Sequence, residues 1–209
     1  MATAHDDVLG VILAGGQGRR MGGADKALLP LAGRPLVARA IERFAPQVGR
    51  LALSANGDPA RFAGLGIPVL ADPFDENVGP LAGLASGLAH AARLDPPARW
   101  VATVAVDTPF FPVDLVARLR AAVSDDGRSV AIAATAGRVH PVAALHPREA
   151  FDDLFAGLAG GGLRRVMSWI ESRPSVVVDF GLVDGHDPFA NLNTPEDLAA
   201  AERRLATRT

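Results

Sequence analysis

The run Val11-Ile12-Leu13-Ala14-Gly15-Gly16-Gln17-Gly18-Arg19-Arg20-Met21-Gly22-Gly23-Ala24-Asp25-Lys26 constrains this chain more than any other segment. An apolar strand enters five glycines within nine positions, and Arg19, Arg20 and Lys26 add three cations. Glycine lets a backbone approach a ligand closely. Successive N–H groups in such a loop form an anion-binding concavity that cations reinforce. The segment therefore reads as a cradle for a polyphosphate. It is not a Walker A loop, because Gly18 and Gly23 are followed by Ala24 where that motif needs lysine. Nor is it a dinucleotide fingerprint, because Met21 stands where the last glycine belongs.

Composition narrows the class of partner. With 209 residues, 49% hydrophobic and 21% charged, the chain can bury a large core and does not have the makeup of a disordered protein. A formal charge of −2 argues against broad electrostatic binding to nucleic acid, so a polyanionic substrate must be met by local cations. The absence of cysteine excludes disulfides and thiolate metal sites. Residues 1–7 lack the pattern of a signal peptide, and no apolar run approaches the length of a membrane span. These features predict a cytoplasmic protein with no membrane association.

Strand-like and helix-like segments alternate along the first half. Val8 to Leu13, Arg50 to Ser54, Ile67 to Leu70 and Trp100 to Val106 read as strands. Val37, Ile41, Phe44 and Val48 mark one face of a helix, and helices are also predicted over Leu81 to Ala92 and Pro112 to Val123. The second half predicts strands over Ser129–Ala134, Val139–Leu145 and Val176–Asp179, with a hairpin through Ala136-Gly137-Arg138. Helices are expected over Glu149–Leu158 and Leu163–Ser172, and a last one is capped by Thr194 with Pro195 in its first turn. The alternation predicts an α/β fold: a single-domain, Rossmann-like, mainly parallel sheet with helices on both faces. Ligands in such sheets sit beyond the carboxyl ends of the strands, where both Gly15 and Asp107 fall.

Several residues are candidates for chemistry on their own terms. Asp107 ends an apolar strand, and a single carboxylate with phosphate oxygens is a usual way to hold Mg²⁺; the competing reading is a turn-forming aspartate before Thr108-Pro109. Arg20 and Lys26 would neutralise phosphates and the charge on departing pyrophosphate. Asn56 can offer an amide donor and acceptor to a base or ribose, though Asn56-Gly57 is equally a turn signal. Asp72, before Pro73, carries the same ambiguity. Gly79-Pro80-Leu81-Ala82-Gly83 opens a helix whose start could face an anion or a base edge. The scattered histidines do not make a metal site. They are expected at the surface or as satisfied structural residues, with His140 alone worth following. Arg164-Arg165 could clamp a second anion or simply start a basic helix.

Taken in order, Leu13-Ala14-Gly15-Gly16, Arg20-Met21-Gly22-Gly23, Asp25-Lys26, Gly79-Pro80-Leu81-Ala82-Gly83, Asp107-Thr108-Pro109, His140-Pro141, Arg164-Arg165-Val166-Met167 and Asn191-Leu192-Asn193-Thr194-Pro195-Glu196 resemble the signature of the molybdenum cofactor guanylyltransferases. The resemblance spans residues 8 to 200 and is far more specific than the first motif alone, which marks a broader nucleotidyltransferase superfamily. It implies a fold similar to nucleotide-diphospho-sugar transferases. The implied activity is transfer of GMP from Mg-GTP to molybdenum-molybdopterin, with release of pyrophosphate. Leu13, Ala14, Gly15, Gly16, Lys26, Asn56, Asp72, Gly79 and Asp107 would bind GTP, with Arg20, Lys26 and Asp107 catalytic and Asp107 on Mg²⁺. His140, Arg164, Asn191 and Asn193 would face the pterin. One domain over 1–209 is expected, with a nucleotide-binding part over about 8–125 and a pterin-facing part over about 126–200. Molybdopterin-handling proteins and apo-molybdoenzymes are implied as further partners. The related cytidylyltransferases resemble Leu-Ala-Ala-Gly at the first motif. Gly15 lacks that methyl and leaves room for a purine, a difference worth about 1–3 kcal/mol. A cytidylyltransferase, a sugar-1-phosphate nucleotidylyltransferase and a non-enzymatic GTP or cofactor carrier remain the alternatives.

Overall fold

The computed structural model describes residues 5–15, 25–74 and 78–207. Gly16 and Arg20 therefore lie outside the described residues, as do positions 75–77. The elements in chain order are β1 (Val8–Leu13), a 3₁₀ turn (Lys26–Leu28), β2 (Pro30–Leu31), β3 (Arg34–Pro35) and α1 (Leu36–Phe44). Next come β4 (Arg50–Ser54), a 3₁₀ segment (Pro59–Leu65), β5 (Val69–Leu70), α2 (Pro80–Arg93), β6 (Trp100–Ala105) and α3 (Leu115–Ala121). The chain closes with β7 (Val130–Thr135), β8 (Arg138–Pro147), α4 (Phe151–Ala159), α5 (Val166–Glu171), β9 (Ser175–Asp179) and α6 (Pro195–Ala206).

Seven strands form one sheet in the order β5-β4-β1-β6-β8-β7-β9. β8 runs antiparallel to both neighbours, β6 and β7, and every other pairing is parallel. The mainly parallel α/β reading therefore holds. β1 is buried at all six positions because both of its faces are covered. Val8 and Ile12 join Leu36, Phe44, Leu115 and Leu119 on the layer of α1, α3 and α6. Leu9, Val11 and Leu13 join Leu81, Leu88, Leu154 and Trp169 on the layer of α2, α4 and α5. Strands covered on two faces read as continuous apolar runs rather than alternating ones, which is how β1 and β6 appear in the sequence.

α2 owes its place to small residues. A Cβ on Gly83 would fall 2.5 Å from Ser54 Oγ and 2.7 Å from Leu13 Cδ2, and one on Gly87 would fall 2.7 Å from Val11 Cγ2. The helix thus lies closer to β1 than any larger side chain would allow. Two expectations are corrected. The helix after Pro112 begins only at Leu115, because Pro112 sits in the turn before it and accepts the Leu115 N–H at 3.3 Å. His146 is neither at the surface nor satisfied: it is 1% exposed in β8, and its Nδ1 has no hydrogen-bond partner. Burial, with Arg173 adding to it, pushes this imidazole down to about 3. Among the described residues no helix is long and apolar enough to cross a membrane.

Candidate active site

The parallel strands deliver their carboxyl ends to one edge of the sheet. Asp72, Asn56, Gly15 and Asp107 lie just past β5, β4, β1 and β6 in that lateral order. From β1 the chain first builds outward through β4 and β5, then returns to place β6 on the other side. Such a reversal opens a crevice beyond the strand ends.

Lys26 and Asp107 meet in that crevice. Asp25 caps the short turn after the glycine loop by accepting the Ala27 N–H at 3.0 Å, and Ala27 is fully buried beneath it. So anchored, Lys26 donates to Asp107 Oδ2 at 2.5 Å and to Asn193 Oδ1 at 2.6 Å. Asn191 Nδ2 donates to the same carboxylate, 3.3 Å from Oδ2 and 3.4 Å from Oδ1. The Leu192 N–H closes the contact on the Asp107 carbonyl at 2.9 Å. Asp107 is 9% exposed, and a carboxylate so enclosed needs a cation or amide donors around it. Lys26 and Asn191 supply both.

The approach of Asn193 is set by the cap of α6. Thr194 Oγ1 accepts the Asp197 N–H at 3.1 Å, while Asp197 Oδ2 accepts the N–H groups of Asn193 and Thr194, each at 2.9 Å. The Asn193 N–H, then the N–H and hydroxyl of Thr194, outweigh the slight burial of this carboxyl. Lys26 adds to the effect, and the group is held below its usual range.

A second network occupies the β4–β5 side. Asn56 Nδ2 donates to Asp72 Oδ2 at 2.5 Å, and Asn56 Oδ1 accepts the Asp72 N–H at 3.1 Å. Both ends of the Asn56 amide are thus engaged by Asp72. Arg61, in the 3₁₀ segment, donates to the Asn56 carbonyl and lies 2.8 Å from Asp25 through Nε. Gly57, with φ +85°, is the residue that makes room: a Cβ there would fall 2.7 Å from Arg61 Nη1.

A cleft of about 190 Å³ opens beside Asn191, lined among others by Thr108, Arg138, His140, Val142 and Phe189. It lies where β8 breaks register against β7, between the Ile132–Ala144 and Ala133–His140 pairs. Pro141 has no N–H for the ladder, and Thr103 Oγ1 serves the Val142 carbonyl at 2.6 Å. The His140 ring stacks on Phe189, with centroids 4.8 Å apart. Its Nε2 is 3.4 Å from Asp187 Oδ1, outside hydrogen-bond geometry. Burial lowers the pKa of this imidazole against the pull of Asp187, and Arg138 lowers it further.

The structure thus gathers Lys26, Asp107, Asn191 and Asn193 into one cluster, with His140 sharing a cleft with Asn191. Leu13 and Ala14 are tied into the sheet: the Leu13 carbonyl accepts the Val106 N–H, and the Ala14 N–H donates to the Ser54 carbonyl. Gly79 stands at the start of α2. Arg164 is separate, exposed before α5 on the helical layer opposite α6. The sequence reading gives Arg61 no role, and the family resemblance sets Asn193 with the pterin rather than on Lys26. No local pattern signals either contact. Among the described residues no three His, Asp or Glu side chains gather as a metal cluster. On the β1–β6 side of the crevice Asp107 offers a carboxylate, and among the described residues its Oδ1 accepts only the long contact from Asn191. That donor set fits a Mg²⁺ ion completed by phosphate oxygens and water.

Comparison with known proteins places this arrangement. Residues 10–175 match the model of the MobA-like NTP transferase domain. The molybdenum cofactor guanylyltransferase of Rhodopseudomonas palustris is 50% identical over 199 residues, covering 95% of this chain and 94% of the relative. That of Mesorhizobium japonicum is 50% identical over 205 residues, covering 97% and 98%. In fold, the chain is similar to the molybdopterin-guanine dinucleotide biosynthesis protein A of Archaeoglobus fulgidus, with a TM-score of 0.75 at 24% identity over 96% of this chain and 99% of the other. It is also similar to the 4-diphosphocytidyl-2C-methyl-D-erythritol synthase of Anaerococcus prevotii, with a TM-score of 0.70 at 16% identity over 95% of this chain and 96% of the other. The chain carries a nucleotidyltransferase domain and belongs to the molybdenum cofactor guanylyltransferase family.

Proposed function

We propose that this protein transfers GMP from Mg-GTP to the terminal phosphate of molybdenum-molybdopterin in the cytoplasm, releasing pyrophosphate and forming the guanine dinucleotide cofactor. The Lys26–Asp107–Asn193 cluster at the crevice carries the proposal, because it sets one cation and one carboxylate where the glycine loop would deliver phosphates. An oxygen of the acceptor phosphate attacks the α-phosphorus of GTP in line, and the bond from that phosphorus to the β-phosphate oxygen breaks. The acceptor is already ionised at neutral pH, so the step needs no strong base. Lys26, and Arg20 from the loop, neutralise the charge that builds on the leaving pyrophosphate. A Mg²⁺ ion held by Asp107 and the phosphates would supply further charge neutralisation.

Gly16 and Gly79 would flank the nucleotide. A carboxylate at Asp72, steadied by Asn56, suits the N–H edge of guanine. A Cβ on Gly15 would meet no atom of the described residues within 4 Å, which suits a purine placed above that residue. His140 and Asn191, from their shared cleft, would face the pterin, while Arg164, outside that cleft, would reach it only from the α5 side. Delivery to apo-molybdoenzymes would come after the reaction. A pure carrier needs neither leaving-group stabilisation nor a metal, which makes the Lys26–Asp107 pair an argument for turnover. The test is pyrophosphate release with Mg²⁺, molybdate-loaded molybdopterin and each of GTP, CTP, ATP and UTP. Pterin-dependent release with GTP is expected. Release chiefly with CTP would overturn the base assignment, and folded protein that binds GTP without release would overturn the enzyme reading.

A further inference from the structure

We infer that Arg61 is a positioning residue that couples the base side of the nucleotide site to the turn carrying Lys26. The inference rests on the nucleotidyltransferase reading above. Its basis is where one guanidinium reaches. Nε of Arg61 pairs with Asp25 at 2.8 Å, and its Nη2 donates to the Asn56 carbonyl. Asp25 caps the turn that begins at Lys26, and Lys26 reaches Asp107. Asn56, through both ends of its amide, holds Asp72. Arg61 therefore ties the segment after β4 to the turn that begins at Lys26.

Three further observations suit a placed rather than an incidental contact. The guanidinium lies over the Phe62 ring, 4.7 Å from its centroid, and Phe62 is 2% exposed, so the contact has a fixed floor. The 3₁₀ segment that presents Arg61 is itself capped, with Asp58 accepting the Ala60 N–H at 2.8 Å. Gly57 leaves open the space that Nη1 enters. A planar fork can serve a carboxylate and a carbonyl at once, whereas a lysine ammonium is a single point of charge on a flexible stem. Among the described residues the polar partners of Arg61 are Asp25 and the Asn56 carbonyl, not Lys26 or Asp107. Its contribution is to hold the Asn56–Asp72 pair and Asp25 at one spacing, so that a nucleotide meets both without first reordering them.

The test compares wild type with Arg61→Met, which keeps the apolar stem over Phe62, and with Arg61→Lys. Equilibrium binding of a fluorescent GTP analogue is measured alongside steady-state kinetics. Arg61→Met is expected to weaken analogue binding and raise the KM for GTP about tenfold, in the range seen when supporting contacts around a site are removed. The KM for the pterin and the melting temperature should stay near wild type, and Arg61→Lys should fall between the two. The Asp25→Asn change should add little in the Arg61→Met background, because the pair is already broken. An unchanged KM and unchanged analogue binding in Arg61→Met would overturn the inference. So would a fall in apparent kcat and melting temperature at constant KM, which marks a purely structural contact. If wild type binds the analogue but releases no pyrophosphate, the functional reading fails while the binding comparison still decides the role of Arg61.

Discussion

Lys26 Nζ and Asp107 Oδ2 stand 2.5 Å apart although 81 positions separate the two residues in the chain. Strand register explains the meeting. β1 and β6 are parallel neighbours with Leu13 opposite Ala105, so both strands end at the same edge of the sheet. The link between sequence and site is therefore topological: two motifs read separately become one pair because their strands adjoin.

If this pair stabilises charge in the transition state, Lys26→Ala and Asp107→Ala should each lower turnover by about 10²–10³-fold. Circular dichroism should remain native, since neither side chain belongs to the apolar core. Pyrophosphate release at saturating GTP and Mg²⁺ measures the effect. Near wild-type turnover in both would remove them from the mechanism.

Asn193 and Thr194 are adjacent, yet their losses should differ in kind. Thr194→Ala deletes the hydroxyl of the α6 cap and should cost about 1 kcal/mol of stability, read as a lower urea midpoint. Asn193→Ala removes the second acceptor of Lys26 and should leave that midpoint within about 0.5 kcal/mol. Its kcat should fall about tenfold. Equal effects of the two substitutions on kcat and stability would mean that the cap, and not the Asn193 amide, places Lys26.

Gly15→Ala tests the space reserved for a purine. The added methyl meets no atom of the described residues within 4 Å, so the fold should tolerate it. The ratio of kcat/KM for GTP over CTP should fall about 10–100-fold, the scale of one methyl in a shaped pocket. An unaltered ratio would place base selection elsewhere on the edge.

His146 should make stability depend on pH. Its folded value of about 3 lies below the ordinary 6.5. Below pH 6.5 the unfolded chain takes up a proton that the native state refuses. Stability then falls as pH drops from 6.5 towards 3, by up to about 1.4 kcal/mol per pH unit, and this contribution stops changing below that window. Urea midpoints of wild type and His146→Leu at pH 7.5 and 5 measure it. The variant should lose about 2 kcal/mol less between the two pH values. Identical losses would assign the dependence to carboxylates.

Much of the architecture is legible in the chain before folding, for reasons that particular elements make plain. Val8–Leu13 reads as a strand and is one, since six apolar residues ending at glycine suit a strand covered on both faces. Thr194 and Pro195 announce the last helix, and its cap forms with Asp197 as partner. Ala136-Gly137 signals a hairpin turn, and both residues have positive φ. The β2–β3 hairpin turns on the same dipeptide, Ala32-Gly33, again with both residues at positive φ, but its two-residue strands leave no periodicity to frame that signal. The Arg61–Asp25 and Asn193–Lys26 contacts stay hidden for a different reason. An arginine after an Asn-Gly turn and an asparagine before a helix carry no local mark of a partner far along the chain.

The alternation of strands and helices, the residue types available to phosphate chemistry and the family to which they belong are all written locally along the chain. Backbone propensity, capping and apolar patterning act over a few neighbouring residues, and motifs record them directly. That Lys26 shares Asp107 with Asn191 and extends to Asn193, and that Asn56 engages Asp72 through its amide, emerges only in the folded molecule. Those pairings depend on strand order and register, which are settled by burying both faces of the sheet together. No local stretch of chain contains that information.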